Sequence, residues 1–490
     1  MKPILLNEIR NAMHGELKTD VQKGLVSGVS IDSRRIKPGD LFIALRGKNY
    51  DGHDYVIDAV KGGAKAILID RNLPLADELK SGDVCVLKVD DTLLALGELA
   101  RYYRKSLGYG VAVIAITGSN GKTTTREIIH HVLSKNRKGH RSPHNYNNAV
   151  GVPMSIFGIE PDHDFAVLEV ATNAPGEIAN LSRIAQPDIA VITGIAPSHL
   201  EGLKSIEGVC EEKSAIVTGL ADRGVVICGA DYPPLLEKLK PLGSPLIQFG
   251  IDVEADIVGT KVERTDGGIR FTTNDRCEIS LPITGMCNVK NALAALAVVR
   301  RMGMTSSDFA EAISDFTAVP QRMSVHQVNG ITIIDDTYNA NPASMASAME
   351  ELEHYAKARR RVFICGDMNE LGDTAEDYHV ELGQKIAQST IGLLLATGPL
   401  AAVAANAALK QGMGQSAVQK SISSKRLARL VKSLIMDEDV IMVKGSRSME
   451  MEKVVDSLKR YRGTRPIIHC PIRAVPGPEK KTGRRKTEVK

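Results

Sequence analysis

The chain has 490 residues, 43% hydrophobic and 24% charged, and a formal net charge of +4. This length suggests about three domains, and the composition is typical of globular proteins, which excludes a collagen-like or wholly disordered chain. The sequence has no transmembrane run of roughly 20 apolar residues and no signal-peptide core, and its seven scattered cysteines form no CxxC pair; together these features predict a cytoplasmic protein with reduced thiols.

Residues 1–88 predict a small N-terminal α/β domain. The stretch VSIDSRRIKPGDLFIAL places a Pro-Gly turn between two strand-like runs. The stretch DGHDYVIDAVKGGAKAILID then predicts a helix, a glycine stop and a buried strand.

Residues 89–317 predict a larger central domain in which helices alternate with short apolar strands. The strand-like runs are VAVIAITG, FAVLEV, DIAVITG and GVVICGAD. Such β-branched runs favour a parallel sheet that is covered on both faces. Residues 256–283 alternate around GG and ND turns instead, which predicts a small antiparallel meander on this domain.

Residues 318–460 repeat the alternation of strand and helix. The runs ITIIDD, RVFICGD, IGLLLATG and DVIMVKGS are each followed by a helical stretch. This order predicts a C-terminal Rossmann-like domain, so that the whole chain is expected to be α/β with three domains.

Residues 461–490 predict a basic, disordered tail. The tail contains nine Lys or Arg and two Glu, so it carries about +7 and leaves the other 460 residues at about −3. A mildly acidic body argues against nucleic acid as a partner.

The strongest local motif is ITGSNGKTTT at residues 116–125, between a predicted strand and a predicted helix. Glycine lets backbone N–H groups approach phosphate oxygens closely, and a helix N-terminus favours anions. Lys122 is expected to reach the terminal phosphates of a nucleotide, and Thr123 to bind Mg²⁺. The spacing TGxxGKTT is shorter than GxxxxGK[ST], because position 116 is Ile.

Two further candidates belong to the same predicted sheet: Glu169 ends the strand FAVLEV, and His199 lies just after the strand DIAVITG. The carboxyl ends of parallel strands line the ligand crevice, so both side chains are expected beside the loop, where both suit a divalent metal. Lys213 lies in a predicted helix, and the pattern alone does not distinguish it from a solvated lysine.

Two loops of the C-terminal domain carry polar groups at strand ends. DDTYNANP, residues 335–342, offers many hydrogen-bonding groups, and a capped turn is the alternative interpretation. In KGSR, Lys444 and Arg447 are suited to a carboxylate or a phosphate, with an ordinary surface loop as the alternative.

These motifs together resemble the Mur ligase family, ATP-dependent ligases that build the peptide of peptidoglycan precursors. TGSNGKTT, TGIAPSHLEG, GMCNVKNALAA and DDTYNANP follow that family's order. DDTYNANPASM, CGDMNELG and VKGSRSMEME are most similar to the branch that joins D-alanyl-D-alanine to UDP-N-acetylmuramoyl-tripeptide. The N-terminal IDSRRIKPGDLFIALRG resembles a UDP-recognising domain.

The resemblance implies a set of site residues. The catalytic group and metal ligands would come from Lys122, Thr123, Glu169, His199 and Lys213, with Lys213 carbamylated and two Mg²⁺ ions bound. ATP would be held by Gly118, Ser119, Asn120, Gly121, Lys122, Thr123, Thr124, Asn288, Asn291, Arg322, Asp336 and Asn339. The substrates would contact Ser33, Arg34, Asn147, Asn148, Lys444, Ser446 and Arg447.

The sequence also departs from the family pattern. Cys287 stands where a His is usual, Gln321 where a Gly is usual, and Ser324 where an acidic or amide residue is usual. Ala171 and Gly229 replace a usual Gly and Asn. These changes bear on adenine and hinge packing, while the phosphate loop is intact.

The resemblance implies a two-step reaction through an acyl phosphate, catalysed by a monomer. Two alternatives remain open at this point. One is another ligase of the same superfamily, which adds diaminopimelate or lysine, or glutamate to folate. The other is a nucleotide-binding protein without ligase activity.

Overall fold

The computed structural model describes residues 1–19, 23–73, 84–143, 145–265, 267–355 and 360–463. The described chain groups into two compact units. The first comprises Met1–Ser324, Asn341–Ser347 and Asn369–Ala375; the second comprises Val325–Ala340, Ala348–Met368 and the described residues from Glu376 onward. The predicted tail lies outside the described residues from position 464 onward.

The N-terminal part of the first unit contains a five-stranded sheet in the order β2-β7-β6-β5-β4, with β4 to β7 parallel and β2 antiparallel, and a two-stranded sheet of β1 and β3. Its elements are β1 Ile4–Leu5, α1 Leu6–Ala12, β2 Glu16–Leu17, β3 Leu25–Val26, β4 Gly28–Ser30, β5 Asp40–Ile43, α2 Val56–Lys61, β6 Ala66–Ile69 and β7 Cys85–Lys88. The predicted helix, glycine stop and strand are therefore confirmed.

Alternate residues of these strands enter different cores. Leu41 and Leu68 belong to the large buried cluster of the unit, whereas Phe42 and Ile67 belong to a smaller one. Successive side chains of a strand point to opposite faces, so the sheet is covered on both sides. This explains the continuous apolar run of the central strand β6.

The rest of the first unit is built on a nine-stranded sheet in the order β16-β15-β14-β13-β12-β11-β8-β10-β9. Its strands are β8 Ala112–Thr117, β9 Gly139–Arg141, β10 Phe165–Glu169, β11 Ile189–Ile192, β12 Val225–Gly229, β13 Leu246–Ile251, β14 Ile257–Thr265, β15 Gly268–Thr273 and β16 Glu278–Leu281. The strands from β8 to β14 pair in parallel, and β14 to β16 pair antiparallel. The predicted meander is confirmed, and it continues the main sheet.

Helices cover both faces of this sheet. They are α3 Thr92–Ser106, α4 Lys122–Leu133, α5 Gly151–Phe157, α6 Glu177–Ala185, α7 Leu200–Leu203, α8 Ile206–Ser214, α9 Pro233–Leu239, α10 Met286–Arg301 and α11 Ser306–Ile313. Within β8, Val113 faces the large cluster and Ile114 faces a second one. Strands β9 and β13 were not among the predicted elements.

The large cluster connects the two sheets of the first unit. It includes Leu41 and Leu68 from the N-terminal sheet, Leu96 from α3, and Val113 from β8. Tyr103 of α3 is fully buried; its hydroxyl accepts a hydrogen bond from the Lys2 amide and donates one to the Ile159 carbonyl. One core therefore contains side chains from both sides of the predicted boundary at residue 88.

The second unit contains most of a six-stranded sheet in the order β17-β18-β22-β19-β20-β21, in which β18 to β22 pair in parallel. Its elements are β17 Ser324–Val328, β18 Ile331–Asp336, α12 Pro342–His354, β19 Arg360–Gly366, α13 Ala375–Gln388, β20 Ile391–Thr397, α14 Pro399–Lys410, β21 Val418–Ser421, α15 Ser424–Leu434, β22 Asp439–Lys444 and α16 Glu452–Leu458. The predicted Rossmann-like alternation of strand and helix is confirmed.

Two further observations complete the fold. Tyr461, at the predicted start of the tail, is 1% exposed and packs in the core of the second unit, so the packed chain continues at least to this residue. Across the described ranges, no helix has both the length and the apolar character that a membrane span requires.

Candidate active site

A glycine loop between β8 and α4 forms the centre of the site. The strand ends at Thr117 and the helix begins at Lys122. Gly118 and Gly121 have φ angles of 140° and 84°, which side chains rarely adopt. A Cβ on Gly118 would lie 2.1 Å from the Thr193 hydroxyl, and a Cβ on Gly121 would lie 2.1 Å from Asn291 Oδ1. Both glycines are therefore required by conformation and by space.

The polar side chains of the loop are held by neighbouring segments of the first unit. Ser119 Oγ donates to the Ala196 carbonyl at 2.7 Å and accepts from Ser198 Oγ at 3.0 Å. The Asn120 and Asn341 amides donate to each other, at 3.3 and 2.9 Å. Lys122 Nζ donates to the Gly118 carbonyl at 2.8 Å. The loop is thus pre-formed.

Glu169 ends β10 and lies directly beside this loop. One carboxylate oxygen accepts from Thr123 Oγ1 at 2.9 Å and from Arg126 at 3.4 Å, and the other accepts from Asn147 Nδ2 at 3.0 Å. Glu169 is only 3% exposed. The structure therefore brings together Thr123 and Glu169, which were predicted as metal ligands, and Asn147, which the family resemblance implied for the substrate.

Lys213, near the end of α8, is the most unusual group of the site. Its side chain is fully buried, and in the described part of the chain its Nζ has no hydrogen-bond partner. Burial, reinforced by the positive charge of Lys122, lowers its pKa to about 7, although Glu212, Glu177 and Glu169 oppose the shift. At neutral pH a much larger share of this amine is therefore uncharged and nucleophilic than in an ordinary lysine.

Lys122 and Arg322 add positive charge around the loop. Burial lowers the pKa of Lys122; the carboxylate of Glu169 opposes this shift and the charge of Arg322 adds to it. Arg322 Nη2 donates to Thr123 Oγ1 at 3.4 Å. Cations gathered in this way are suited to a negatively charged phosphate chain.

Asn288 and Asn291 lie on α10, behind the loop. Asn291 Nδ2 donates to Asn288 Oδ1 at 3.0 Å, and Thr125 Oγ1 donates to Asn291 Oδ1 at 3.4 Å. Both side chains are buried, so in this structure they support the loop from behind. Their predicted contact with adenine stays a prediction. Thr124 is also buried, on the first turn of α4.

His199 precedes α7 and is joined to a residue that the sequence analysis did not select. Its Nδ1 lies 2.6 Å from a carboxylate oxygen of Glu370, which belongs to the CGDMNELG motif. The hydrogen bond with His199 lowers the pKa of Glu370. The position of CGDMNELG after a predicted strand could have marked Glu370 as a candidate site residue. Nothing in the sequence, however, indicated which histidine it contacts.

Other proposed residues lie apart from the loop. Ser33 and Arg34 lie on a 3-10 turn after β4, where Arg34 forms a bidentate ion pair with Asp32 and holds the pKa of that carboxyl at about 2. Asn148 Oδ1 accepts from the Val150 and Gly151 amides at the start of α5, so it caps that helix.

A separate polar group lies at the carboxyl edge of the sheet in the second unit. Lys444 Nζ donates to Asp336 at 2.5 Å and to the Asn339 carbonyl at 2.9 Å. Ser446 is buried, and its amide donates to the Asp367 carbonyl; Arg447 is exposed and pairs with Glu452 at 3.0 Å. These proposed residues are brought together in their own unit.

The loop geometry leads to a prediction about Gly121. Gly121→Ala should lower stability by about 1–3 kcal/mol, because it combines a left-handed φ with a clash against Asn291. Nucleotide affinity should fall as well. Thermal unfolding and titration with ADP measure both effects. Gly176→Ala is the matched control: its φ is 87°, but its Cβ would meet nothing within 4 Å, so a loss of equal size there would contradict the clash.

A strand, a glycine loop and a helix at the carboxyl edge of a parallel sheet, with a lysine and a threonine opening the helix, define the class of P-loop nucleotide-binding enzymes. Family models match three parts of the chain: "Mur ligase family, catalytic domain" at residues 25–104, "Mur ligase middle domain" at 116–299, and "Mur ligase, glutamate ligase domain" at 321–447.

Individual proteins agree with these matches. The UDP-N-acetylmuramoyl-tripeptide–D-alanyl-D-alanine ligase of Bacillus subtilis is 37% identical over 442 residues, which cover 89% of this chain and 94% of that protein. MurF from Acinetobacter baumannii has a TM-score of 0.84 at 29% identity, covering 94% and 99% of the two chains. MurF from Thermotoga maritima, solved with ADP, has a TM-score of 0.78 at 27% identity, covering 88% and 97%. The chain belongs to the Mur ligase family, and it is an enzyme of the ligase class.

Proposed function

We propose that the protein joins D-alanyl-D-alanine to UDP-N-acetylmuramoyl-tripeptide at the expense of ATP. The observation that carries the chemistry is the gathering of Lys122, Glu169 and buried Lys213 around the glycine loop. The choice of substrates is supported by the relatives named for this reaction, which match almost the whole chain.

The residues of the loop fit the phosphates of a nucleotide. Gly118 and Gly121 both stand where a side chain would clash with its surroundings. Without side chains at these two positions, the backbone N–H groups of residues 118–121 can approach phosphate oxygens closely. Lys122 and Arg322 would neutralise the terminal phosphates. Lys122 would leave the Gly118 carbonyl and turn to the transferred phosphoryl group.

The residues also fit Mg²⁺, provided that further oxygen ligands are supplied. In the described ranges, no three His, Cys, Asp or Glu side chains form a metal-binding group by themselves. Thr123 and Glu169 supply neighbouring oxygens, the nucleotide would supply phosphate oxygens, and His199 would supply a ring nitrogen. Bound Mg²⁺ would neutralise charge that develops on the phosphates.

Lys213 is proposed to be carbamylated. Its neutral amine would attack CO₂, forming an N–C bond and releasing one proton, which gives a negatively charged N-carboxylate. A plain ammonium at this position would repel a metal ion, whereas the carbamate oxygens would bind it. Full burial, with no hydrogen-bond partner within the described chain, disfavours the ammonium and leaves the neutral amine that this step needs; the charge of Lys122 and a bound metal ion would offset the negative charge of the carbamate.

The ligation itself would take two steps. The terminal carboxylate of the tripeptide attacks the γ-phosphorus of ATP, which forms an acyl phosphate and releases ADP. The amine of D-alanyl-D-alanine then attacks the acyl carbon, which releases phosphate and leaves an amide. The chain would contribute positioning and charge neutralisation, because phosphoryl transfer needs little covalent help from the protein.

The polar group around Asp336 and Lys444 is proposed for the acceptor and the nucleotide. Buried Lys444 holds both Asp336 and the Asn339 carbonyl, so it fixes the DDTYNANP loop. Arg447 is exposed and pairs only at the surface, which leaves it accessible to the carboxylate of the dipeptide. Ser33 and Arg34 are proposed for the UDP moiety, and Asn147 and Asn148 for the sugar-linked substrate.

The test is product formation with purified protein. ATP, D-alanyl-D-alanine and UDP-N-acetylmuramoyl-tripeptides that differ at the third residue should give ADP and a pentapeptide of the expected mass. With ¹⁸O in the tripeptide carboxylate, one label should appear in the released phosphate. Repeated turnovers of ADP release without the dipeptide, or unlabelled phosphate, would contradict the proposal.

The cellular setting is also proposed. Six cysteines lie in the described residues, and all six are free thiols, which suits a reducing cytoplasm. The predicted monomer stays a prediction, which sedimentation of the purified protein can test.

A further inference from the structure

His199 is held close to the phosphate loop because the residue before it, Ser198, is hydrogen-bonded to the loop. Ser198 Oγ donates to Ser119 Oγ at 3.0 Å, and the Ser119 amide donates to the Gly194 carbonyl. The segment that carries His199 is thus bound to the loop itself. The orientation of the imidazole at this place decides which ring nitrogen is offered to a ligand.

Glu370 contacts this segment at two points. Its carboxylate lies 2.6 Å from His199 Nδ1, and its backbone carbonyl accepts from the Glu201 amide at 3.1 Å. Residues 369–375 belong to the same compact unit as His199, although they are some 170 positions away in the chain. The side-chain contact is therefore supported by a backbone contact next to it.

Both partners have unusual backbone conformations. His199 has a φ of 54° and Glu370 a φ of 65°, in the left-handed region that costs a non-glycine residue about 1 kcal/mol or more. Gly372 packs closely against Glu201: a Cβ atom added to this glycine would lie 3.3 Å from Glu201 Cα. Two strained residues that meet through their side chains indicate that the contact is maintained by its surroundings.

We propose that Glu370 is the positioning residue for His199. Its carboxylate accepts the Nδ1–H hydrogen, which fixes the ring orientation and leaves Nε2 as the nitrogen available to a metal ion or a phosphate. The inference deepens the proposed function and depends on it for its catalytic meaning. Such carboxylate–histidine pairs set the tautomer and raise the basicity of a histidine ligand.

A plain surface ion pair is the alternative. Glu370 is half exposed, and an exposed pair contributes at most about 1 kcal/mol to stability. A surface pair would have no consistent effect on which ring nitrogen carries the proton. The two interpretations therefore predict different tautomers of the His199 ring, and they do not predict different melting temperatures.

The first measurement is nuclear magnetic resonance of ¹⁵N-labelled histidine rings in the full chain, without metal or nucleotide, at a pH where His199 is neutral. His199→Gln identifies the signal. The wild type should show Nδ1 protonated, and Glu370→Ala should lose this preference. Glu370→Gln retains an acceptor oxygen, so His199 should still carry its proton on Nδ1 in this variant. An unchanged tautomer in Glu370→Ala would overturn the proposal.

The second measurement is ligation by the same variants. Glu370→Ala should lower activity about 10–100-fold, the size expected for a partner of a metal ligand, and Glu370→Gln should recover most of it. Asp373→Ala is the control, because it removes an exposed carboxylate from the same segment and should leave activity unchanged. Full activity in a folded Glu370→Ala would overturn the role. If the wild type ligates no substrate, the proposed function fails, and the ring measurement still decides the pairing.

Discussion

Lys122→Ala is expected to lower the rate of phosphate release by at least about 100- to 1,000-fold while the fold is retained. Lys122 is the first residue of α4, and its amine already lies against the loop that would hold the transferred phosphoryl group. Removing one preorganised charge at such a position costs about 3–4 kcal/mol in the transition state. Steady-state phosphate release with both substrates measures the effect.

The fold should survive because burial already disfavours the charge of Lys122 in the free protein. Burial lowers the pKa of this lysine and so offsets the hydrogen bond that its amine donates to the Gly118 carbonyl; alanine should therefore change the melting temperature little. Lys135→Ala is the matched control, since Lys135 lies just after α4 and pairs with Asp315 at the surface. A Lys122→Ala enzyme within a few-fold of wild type would remove Lys122 from the chemistry.

Lys213→Ala should also lose most activity, and short carboxylic acids such as formate or acetate should restore part of it. The substitution leaves a space where the carbamate would stand, and an added carboxylate can enter this space and present its oxygens. Lys213→Met fills the same space with an apolar chain, so it should be inactive and should not respond to the acids. Phosphate release across a series of acid concentrations measures the rescue.

Two other outcomes would contradict this role. A lysine that takes no part in the chemistry predicts a variant with normal activity, and a purely structural lysine predicts a loss that no acid restores. A direct observation is available as well: wild-type protein in ¹³C-bicarbonate should show a carbamate signal in ¹³C spectra, which Lys213→Met should lack. Because the pKa of Lys213 is about 7, the signal should weaken below neutral pH, where the amine becomes protonated and cannot attack CO₂.

The sequence predicted much of the fold because its central strands are covered on both faces. Short apolar runs rich in β-branched residues, such as those within β8 and β19, favour strands of a buried parallel sheet. The short edge strand β9, with two polar residues among three, has no such pattern and was missed. The same holds for β13, whose first residues are only half-buried.

The site was predictable where its chemistry follows the chain locally. The loop Gly118–Gly121 and the strand-end residue Glu169 follow from spacing and sheet direction alone. The pairing of His199 with Glu370 was not predictable, because it depends on how two distant loops meet. That Lys213 is buried, with no hydrogen-bond partner among the described residues, also required the structure, since its helix shows no pattern that distinguishes a solvated from a buried lysine.

The core shared by α3, the N-terminal sheet and the nine-stranded sheet has a consequence for how the chain comes apart. Elements with a common buried cluster lose their stabilisation together, so residues 1–324 should unfold in one cooperative transition. Removing residues 1–88 would expose Leu96 and Tyr103 to water and break the hydrogen bond that the Tyr103 hydroxyl accepts from the Lys2 amide. The family model at residues 25–104 therefore marks a segment that is shared among related proteins, whereas the segment expected to fold as one unit, residues 1–324, is more than three times as long.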